Sequence, residues 1–256
     1  MAKIIIKKPK KQYIEELGKE VSISKKKEYY VRDTDKDFST QYGIIKKSDL
    51  NKIGKAKSNT DKEFFIFPSQ FVDDYKHIKR LPQIIPRKDI GFIITETGLG
   101  KNSVVVDSGS GSGGLCLMLA NIVKKITTYD IKKEHCDIVK ENAKTLGIKN
   151  ITIKNKSIYI KIDETNVDVV TLDLPEPWLA VKNCITALKH GGFIINYSPS
   201  VPSVMDFISE INKHDELFHM KTIELIQREW EFEKRKVRPK SKMMGHSGFL
   251  SFVRRL

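Results

Sequence analysis

Two short segments of the chain carry residue types that could do chemistry. The first, residues 104–114, is a run of valines that ends in Asp107 and a glycine-rich turn. The second, residues 173–178, reads Asp-Leu-Pro-Glu-Pro-Trp and also follows an apolar stretch. Because β-branched apolar runs favour buried strands, each segment places an acid at the end of a strand. Together they predict a nucleotide-like cofactor held beside a site for a polar, planar substrate.

The glycine turn predicts a loop that binds a cationic cofactor group. Gly109, Gly111 and Gly113 permit tight turns and close approach of a ligand to the backbone. Their spacing departs from the Gly-x-Gly-x-x-Gly dinucleotide fingerprint, and Asp107 would repel a pyrophosphate. A carboxylate suits an ammonium group instead. The cofactor that joins adenosine to an amino-acid end without a phosphate is S-adenosylmethionine.

A second acid is placed to hold the ribose of this cofactor. Asp130 ends the next apolar strand, and acids at this position bind ribose hydroxyls in dinucleotide folds. The alternative is a tight turn without a ligand, with Asp130 capping a helix. That alternative requires two acids and three glycines to coincide.

Asp173 is the candidate that faces the substrate. It ends an apolar strand, so its carboxylate should reach the crevice at the strand ends. Pro175 and Pro177 fix backbone angles and remove two amide donors, which stiffens the following turn. Trp178 offers either a stacking plane or a core side chain, and the core interpretation is favoured for it.

The elements that must position these residues alternate between strand and helix. Strands are predicted at 104–106, 126–130, 151–154, 167–172 and 193–196. Helices are predicted through 90–95, after the glycine turn, at 134–146 and 179–189, and from Pro202. Two last strands, near 221–226 and 249–253, enclose a basic loop. This alternation predicts an α/β fold with a doubly wound, mostly parallel sheet, whose ligand lies at the carboxyl ends of the strands.

Residues 1–67 have a different character from the rest of the chain. They are rich in lysine and contain short β-prone runs separated by charged or glycine-containing turns. This pattern predicts a small basic β-domain, barrel or sandwich, that contacts RNA. Residues 68–256 are then the domain that binds S-adenosylmethionine and transfers its methyl group, after a connecting helix through Phe71, Tyr75 and Ile78.

Composition favours a polyanionic partner and gives no sign of a metal. The 46 basic and 32 acidic residues give a net charge of +14, which favours nucleic acid, although a lysine-rich proteome would give the same excess. Cys116, Cys136 and Cys184 are scattered and the six histidines are dispersed, so no metal site or disulfide framework is predicted. No apolar run suggests a signal peptide or membrane span, and a cytoplasmic location is expected.

Several strings, taken together, resemble one known family. They are the glycine turn, Asp-Leu-Pro-Glu-Pro-Trp at 173–178, Pro-Gln-Ile-Ile-x-x-Lys-Asp at 82–89, Arg-x-Trp at 228–230, Val-Arg-Pro at 237–239 and Met-Gly-His-Ser-Gly-Phe-Leu at 244–250. From about Phe67 to Leu256 the chain resembles the tRNA (adenine-N1)-methyltransferases of the prokaryotic homo-oligomeric type. The resemblance implies a class I methyltransferase fold, S-adenosylmethionine as donor, N1 of a T-loop adenine in tRNA as acceptor, and a tetramer.

The resemblance also implies roles for individual residues. Asp173 would meet the target adenine, and the cofactor would be held by Gln83, Ile84, Asp107, Gly109, Ser110, Gly111, Gly113, Asp130 and Ser157. Two positions depart from the family pattern. Pro86-Arg87 stands where the family has Tyr-Pro, which removes an aromatic wall near the cofactor. Ser157 stands where the family has an acid near the cofactor's adenine amine, and its hydroxyl can still bond that amine.

The chemistry expected of this site is in-line methyl transfer from a sulfonium to a neutral ring nitrogen. Asp173, aimed at the exocyclic amine, would stabilise the positive charge that develops on the base, and alignment would supply the rest. A T-loop adenine must leave its stack first, so compensating contacts are needed. The basic segment 228–242 mixes cations with aromatics, and the predicted RNA-binding residues are Arg228, Trp230, Arg235, Lys236, Arg238 and His246.

Other interpretations stay open from sequence alone. Segment 228–242 could be a solvated loop, and His246 could stabilise a strand turn. A methyltransferase for a small molecule or a protein would use the same cofactor site. A non-catalytic tRNA-binding scaffold would keep the basic segment and lose the cofactor.

Overall fold

The computed structural model describes residues 2–81, 83–233 and 235–256. Pro82 and Lys234, which belong to segments used above, lie outside the described residues, as do the side chains of Glu233 and Lys236. The chain divides into two compact units, the first ending at Ile78 and the second beginning at Lys79. The connecting helix that follows the predicted boundary at residue 67 therefore belongs to the first unit.

The first unit is built from short antiparallel strands. Its elements are β1 (Lys3–Lys7), β2 (Lys10–Ile14), β3 (Lys19–Ser24), β4 (Lys27–Val31), β5 (Phe38–Thr40), β6 (Gly43–Ile45), α1 (Lys47–Leu50), β7 (Gly54–Lys57), β8 (Glu63–Pro68) and α2 (Phe71–Lys76). The sheet order is β4-β1-β8-β7, and β2-β3 and β5-β6 form separate hairpins. Ile5, Ile45, Leu50, Phe64 and Ile66 pack beneath as the core. The predicted barrel or sandwich is thus observed as an open sheet with two hairpins.

The second unit has the predicted doubly wound architecture. Its elements are α3 (Arg87–Thr97), β9 (Val104–Ser108), α4 (Gly114–Ala120), β10 (Lys125–Tyr129), α5 (Lys133–Leu146), β11 (Ile151–Lys154), β12 (Val167–Leu172), α6 (Val181–Ala187), β13 (Leu188–Ser198), α7 (Val201–Ile211), β14 (Leu217–Glu224), β15 (Trp230–Glu233), β16 (Lys236–Pro239) and β17 (Phe249–Arg255). The main sheet has the order β11-β10-β9-β12-β13-β17-β14. Its first five strands are parallel, and β17 pairs antiparallel with both β13 and β14.

The strand order places the ends of β9 and β12 at the centre of this sheet. Chain order reverses there, because β10 follows β9 on one side and β12 lies on the other. In open α/β sheets such a reversal opens a crevice at the carboxyl ends of the strands. The valines of β9 and β12 are buried on both faces, so the two acids that follow them are carried on a rigid support.

One predicted helix ends earlier than expected. The helix predicted to run to Lys189 ends at Ala187, because Leu188 adopts extended angles and begins β13. Leu188 pairs with Val167, and the register then shifts before Phe193 pairs with Val169. The glycines expected to close the helix lie within this irregular start of the strand, since glycine suits a bulge as well as a helix end.

The predicted basic loop between the last two strands contains a β-hairpin. Strands β15 and β16 pair antiparallel, with Trp230 opposite Pro239 and Phe232 opposite Val237. Alternation along the strands puts these four apolar residues on one face. None of the helices within the described ranges is long and apolar enough to cross a membrane.

Candidate active site

The glycine turn and the Asp173 turn touch through their backbones. Gly109 has φ +78, and a Cβ built on it would lie 1.9 Å from the carbonyl oxygen of Asp173. The N–H of Asp173 donates to the carbonyl of Ser108 at 3.1 Å. Only a residue without a side chain can occupy position 109, so glycine here sets the distance between the two motifs.

The end of the glycine turn is equally confined. Gly113 has φ +87, and a Cβ there would lie 2.6 Å from Leu117 Cδ1 and 3.4 Å from Val139 Cγ1. The residue is the N-cap of α4, so its conformation directs the chain into the helix. Gly113 therefore shapes the turn from behind and does not line the cavity in front of it.

A cavity opens between the glycine turn, the Asp173 turn and the segment before α3. Its lining residues are Gln83, Ile84, Ile85, Asp107, Gly109, Ser110, Gly111, Ser112, Gly114, Leu115 and Asp173. Six of the nine residues predicted to hold the cofactor are thus brought together with Asp173. Gly113, Asp130 and Ser157 are not among the lining residues.

Asp107 is held by two threonines that the sequence reasoning missed. Thr128 and Thr171 lie directly opposite Asp107 on the neighbouring strands β10 and β12. Their hydroxyls donate to its two carboxylate oxygens at 2.6 and 2.7 Å. Burial raises the pKa of Asp107, and these hydrogen bonds oppose that rise. Threonine within otherwise apolar strands, in register with the acid, is the signal that could have identified them.

Asp130 supports the glycine turn from the side. One of its oxygens accepts hydrogen bonds from the N–H of Gly111 at 3.1 Å and from the Ser110 hydroxyl at 3.3 Å. The same oxygen lies 2.9 Å from His135 Nδ1, and the other accepts from the N–H of Lys132 at 2.9 Å. Asp130 therefore fixes the shape of the loop, a role that the sequence did not suggest.

Asp173 lines the same cavity from the end of β12. Loss of solvation, followed by the nearby charge of Asp107, raises the pKa of Asp173 to about 7. The residue as a whole stays exposed because the cavity is open. A carboxyl group that titrates near neutral pH inside a cleft is typical of a functional acid.

Hydrogen bonds to Ser247 join the segment 83–89 to the terminal string 244–250. Lys88 Nζ lies 2.8 Å from Asp89 Oδ1 and donates to the Ser247 hydroxyl at 2.6 Å, and that hydroxyl donates to Asp89 Oδ2 at 3.2 Å. Tyr197 donates to the carbonyl of Ser247 at 2.6 Å. A Cβ at Gly248 would lie 2.5 Å from the Tyr197 ring, so glycine is required for this packing. Ser247 thus ties the start of α3 to the stretch of chain that leads into β17.

Comparison with known proteins decides the family. Residues 76–244 match the family described as tRNA methyltransferase complex GCD14 subunit. A tRNA (adenine(57)-N(1)/adenine(58)-N(1))-methyltransferase TrmI of Methanocaldococcus jannaschii is 31% identical, over 89% of this chain and 91% of the relative. The chain belongs to the tRNA (adenine-N1)-methyltransferase family. It is an S-adenosylmethionine-dependent enzyme that methylates N1 of adenine in tRNA.

Other relatives agree with this assignment. A tRNA (adenine(58)-N(1))-methyltransferase TrmI of Thermus thermophilus is 27% identical over 79% of this chain and 81% of the relative. Two crystal structures share the fold of the methyltransferase. An O-methyltransferase from Thermotoga maritima has a TM-score of 0.81 at 24% identity, covering 99% of this chain and 92% of that one. TrmI from Aquifex aeolicus has a TM-score of 0.78 at 20% identity, covering 99% and 96%.

The lining of the methyltransferase cavity fits S-adenosylmethionine. Two carboxylates line the cavity, whereas no lysine, arginine or histidine of the described ranges does. This environment favours a ligand with a sulfonium and an ammonium group over one with a phosphate. The buried hydroxyl of Ser112 lines the cavity and has no hydrogen-bond partner among the described residues. It is therefore free to bond a ligand.

Ser157 lies beyond β11, outside this lining. Its hydroxyl accepts a hydrogen bond from the N–H of Tyr159 at 3.3 Å, and the residue is partly buried. Asn155 lies closer to Asp130, since its amide donates to the carbonyls of Asp130 and Ile131 at 2.9 Å. The role of Ser157 toward the cofactor stays a prediction.

The residues predicted to bind RNA fall on and around the β15–β16 hairpin. Trp230 is about half exposed and Arg228 and Arg235 are exposed, whereas Arg238 is ion-paired with Glu231 at 3.2 Å. Lys236 lies in β16. His246 is more constrained, because its Nδ1 lies 2.5 Å from Glu224 Oε1 and its Nε2 lies 2.8 Å from the Pro199 carbonyl. These two partners raise the pKa of His246.

Trp178 follows Asp173 in the chain and was the candidate for a stacking plane or a core side chain. It belongs to a 3-10 turn at Pro177–Ala180 and is partly buried. Its neighbours Ala180 and Val181 are fully buried and belong to the main core of the second unit. The indole was expected in the core, and it instead occupies the boundary between the core and the surface.

Proposed function

We propose that this methyltransferase modifies T-loop adenines of tRNA at position 58 and at the adjacent position 57. The proposal of two positions is based on the name of the Methanocaldococcus jannaschii relative, which specifies both adenines. The observation that carries the catalytic part is the carboxylate of Asp173 in an acidic cavity, held against Gly109 by backbone contact. This arrangement supports a cationic donor and an amine-bearing acceptor in one cleft.

The residues divide the work of methyl transfer between them. S-adenosylmethionine supplies the methyl group as a sulfonium when it is bound. Asp107, with the glycine turn, would hold the cationic end of the cofactor, and Gln83 and Ile84, which line the same cavity, would border it. Asp130 keeps the turn in shape and stays our candidate for the ribose contact.

Asp173 acts on the adenine. Its ionised carboxylate accepts a hydrogen bond from the exocyclic amine, which orients the base with N1 toward the donor. Positive charge develops on the base as N1 is methylated, and a carboxylate in a partly dry cavity stabilises that charge more strongly than water would. The same carboxylate can take the proton that the methylated base releases, since its pKa is about 7.

Two basic regions are our candidates for holding the rest of the tRNA. One is the hairpin region with Arg228, Trp230, Arg235, Lys236 and Arg238, together with His246. The other lies in the first unit, around the exposed Lys27 at the start of β4. This second region also contains Lys8, Lys10, Lys11, Lys25 and Lys26. Such clusters suit phosphates, and their affinity should fall steeply with salt.

Assembly and location are proposed from the family resemblance. We infer a homotetramer that works in the cytoplasm. Sedimentation of the purified protein at micromolar concentration measures the assembly directly. A species of four chains agrees with the proposal, and a monomer across the concentration range contradicts it.

The substrate proposal is tested with three tRNA transcripts. One carries adenine at positions 57 and 58, and the others replace one of the two with guanine. We expect 1-methyladenosine at both positions of the first transcript. In each of the other two, we expect it at the adenine that remains. Methylation at only one of the two positions, with no product from the transcript that lacks adenine there, would contradict the two-position proposal and leave the enzyme class unchanged.

A further inference from the structure

A second cavity lies beside the first, on the other side of the segment that precedes α3. Ile85 lines the first cavity, and the next residue, Pro86, lines the second. The second cavity has a volume of about 420 Å³, which is within the range of ligand pockets. Its lining residues are Pro86, Lys88, Gln227, Glu229, Lys240, Lys242, Met243 and Met244.

The charge of this second cavity is opposite to that of the first. Three lysines and one glutamate line it, whereas two aspartates line the first cavity. Lys88 is committed to Asp89 and Ser247, and Lys240 is paired with Glu229. Lys242 forms no ion pair within the part of the chain that the structure describes. One cation of this lining is therefore available to an anionic group such as a phosphate.

The remaining lining suits a nucleobase. Met243 and Met244 are 37% and 58% exposed and line the cavity, so their side chains offer apolar surface there, and the Met243 thioether also accepts a hydrogen bond from Arg228 at 3.7 Å. Thioethers pack favourably against aromatic rings. The Gln227 amide offers both donors and an acceptor, which can bond the edge of a base. The methionine surface suits the face of a base, the Gln227 amide suits its edge, and Lys242 suits a phosphate. Together these groups match one nucleotide.

We propose that the second cavity binds the nucleotide adjacent to the target adenosine, with its phosphate at Lys242 and its base on Met243 and Met244. This proposal rests on the proposed function, because it requires a target nucleotide in the first cavity. The adjacency of Ile85 and Pro86 places the two sites next to each other along one strand of RNA. Binding of the adjacent nucleotide offsets part of the free-energy cost of unstacking the target adenine.

The test compares T-loop RNAs that have a base or an abasic site on either side of the target adenosine. With the wild-type enzyme, removal of one neighbouring base should lower kcat/KM about tenfold, the size of one stacking contact. In Met244→Ala the same removal should cost clearly less than tenfold, because the more exposed half of the methionine surface is already absent. Met205→Ala, an exposed methionine on α7, is the matched control and should behave as wild type.

Lys242→Ala tests the phosphate contact separately. It should raise KM for the RNA, leave the affinity for S-adenosylmethionine unchanged and reduce the salt slope of RNA binding by about one. Equal sensitivity to the abasic sites in wild type and Met244→Ala would overturn the proposal. Wild-type protein that forms no 1-methyladenosine on the intact RNA would instead contradict the proposed function, so the two failures are distinct.

Discussion

Gly109 and Asp173 are in direct backbone contact, although 64 positions separate them in the chain. A side chain at position 109 would collide with the carbonyl oxygen of Asp173 at 1.9 Å. The glycine turn and the Asp173 turn are therefore held together, and the absence of a Cβ at Gly109 sets the distance between them. This relationship explains why two motifs that are weak separately make a strong prediction together.

The contact predicts a large effect of the smallest substitution. Gly109→Ala should lower kcat/KM by more than about 100-fold, because the added Cβ must push the Asp173 turn away from its productive position. Affinity for S-adenosylmethionine, measured by calorimetry, should fall as well. Gly147→Ala is the control, since its φ is also positive and its Cβ would meet nothing within 4 Å. It should cost about 1 kcal/mol of stability and leave activity intact.

The pKa of Asp173 predicts the pH dependence of catalysis. Only the ionised carboxylate can accept the hydrogen bond from the exocyclic amine. Because its pKa is about 7, kcat/KM should rise tenfold per pH unit below neutrality and level off above it. Asp173→Asn should retain cofactor binding, lose most methyl transfer and show no such rise. A full-rate, pH-independent wild-type profile between pH 5.5 and 8 would remove Asp173 from this role.

The same shift predicts that the catalytic residue destabilises the fold at neutral and higher pH. The unfolded carboxyl titrates near 3.8 and the folded one near 7, so stability falls as pH rises between these values and is constant above. Asp173→Asn avoids this penalty. Thermal unfolding should show a higher Tm for the variant at pH 8, with a smaller difference at pH 5. A lower Tm at pH 8 would show that the ionised group is stabilised instead.

The hairpin prediction concerns RNA affinity. Joint replacement of Arg235, Lys236 and Arg238 by alanine should weaken tRNA binding and flatten its salt dependence. A control triple on other exposed lysines of the second unit, Lys133, Lys144 and Lys182, removes the same charge. Binding is followed by filter retention between 50 and 200 mM salt. Equal losses in both triples would mean that net charge matters more than the hairpin, and an unchanged slope would place the RNA elsewhere.

Sequence patterns predicted the sheet well because they are local. The valine run, Asp107 and the glycine turn required only strand and turn preferences. The helix end at Gly147 followed from the preference of glycine for the αL conformation, which Gly147 adopts. Asp173 was identified because it ends a strand of the same kind. Its neighbourhood then followed from the rule that ligands bind at strand ends.

Contacts between distant segments were beyond those patterns. Thr128 and Thr171 support Asp107 only because the register of three strands aligns them, and register depends on the whole sheet. The bond from Lys88 to Ser247 spans 159 positions. The β15–β16 hairpin was missed because its alternating apolar positions are few and lie in a segment dense in charged residues, so the segment resembled a solvated loop.

The measurement that tests the account most directly is transfer of labelled methyl from S-adenosylmethionine to an unmodified tRNA transcript. After nuclease digestion, wild-type protein should place the label in 1-methyladenosine from the T-loop, and Asp173→Asn, which still binds the cofactor, should place almost none there. Label in another nucleoside, or equal label from both proteins, would contradict the assignment of this cavity and of Asp173.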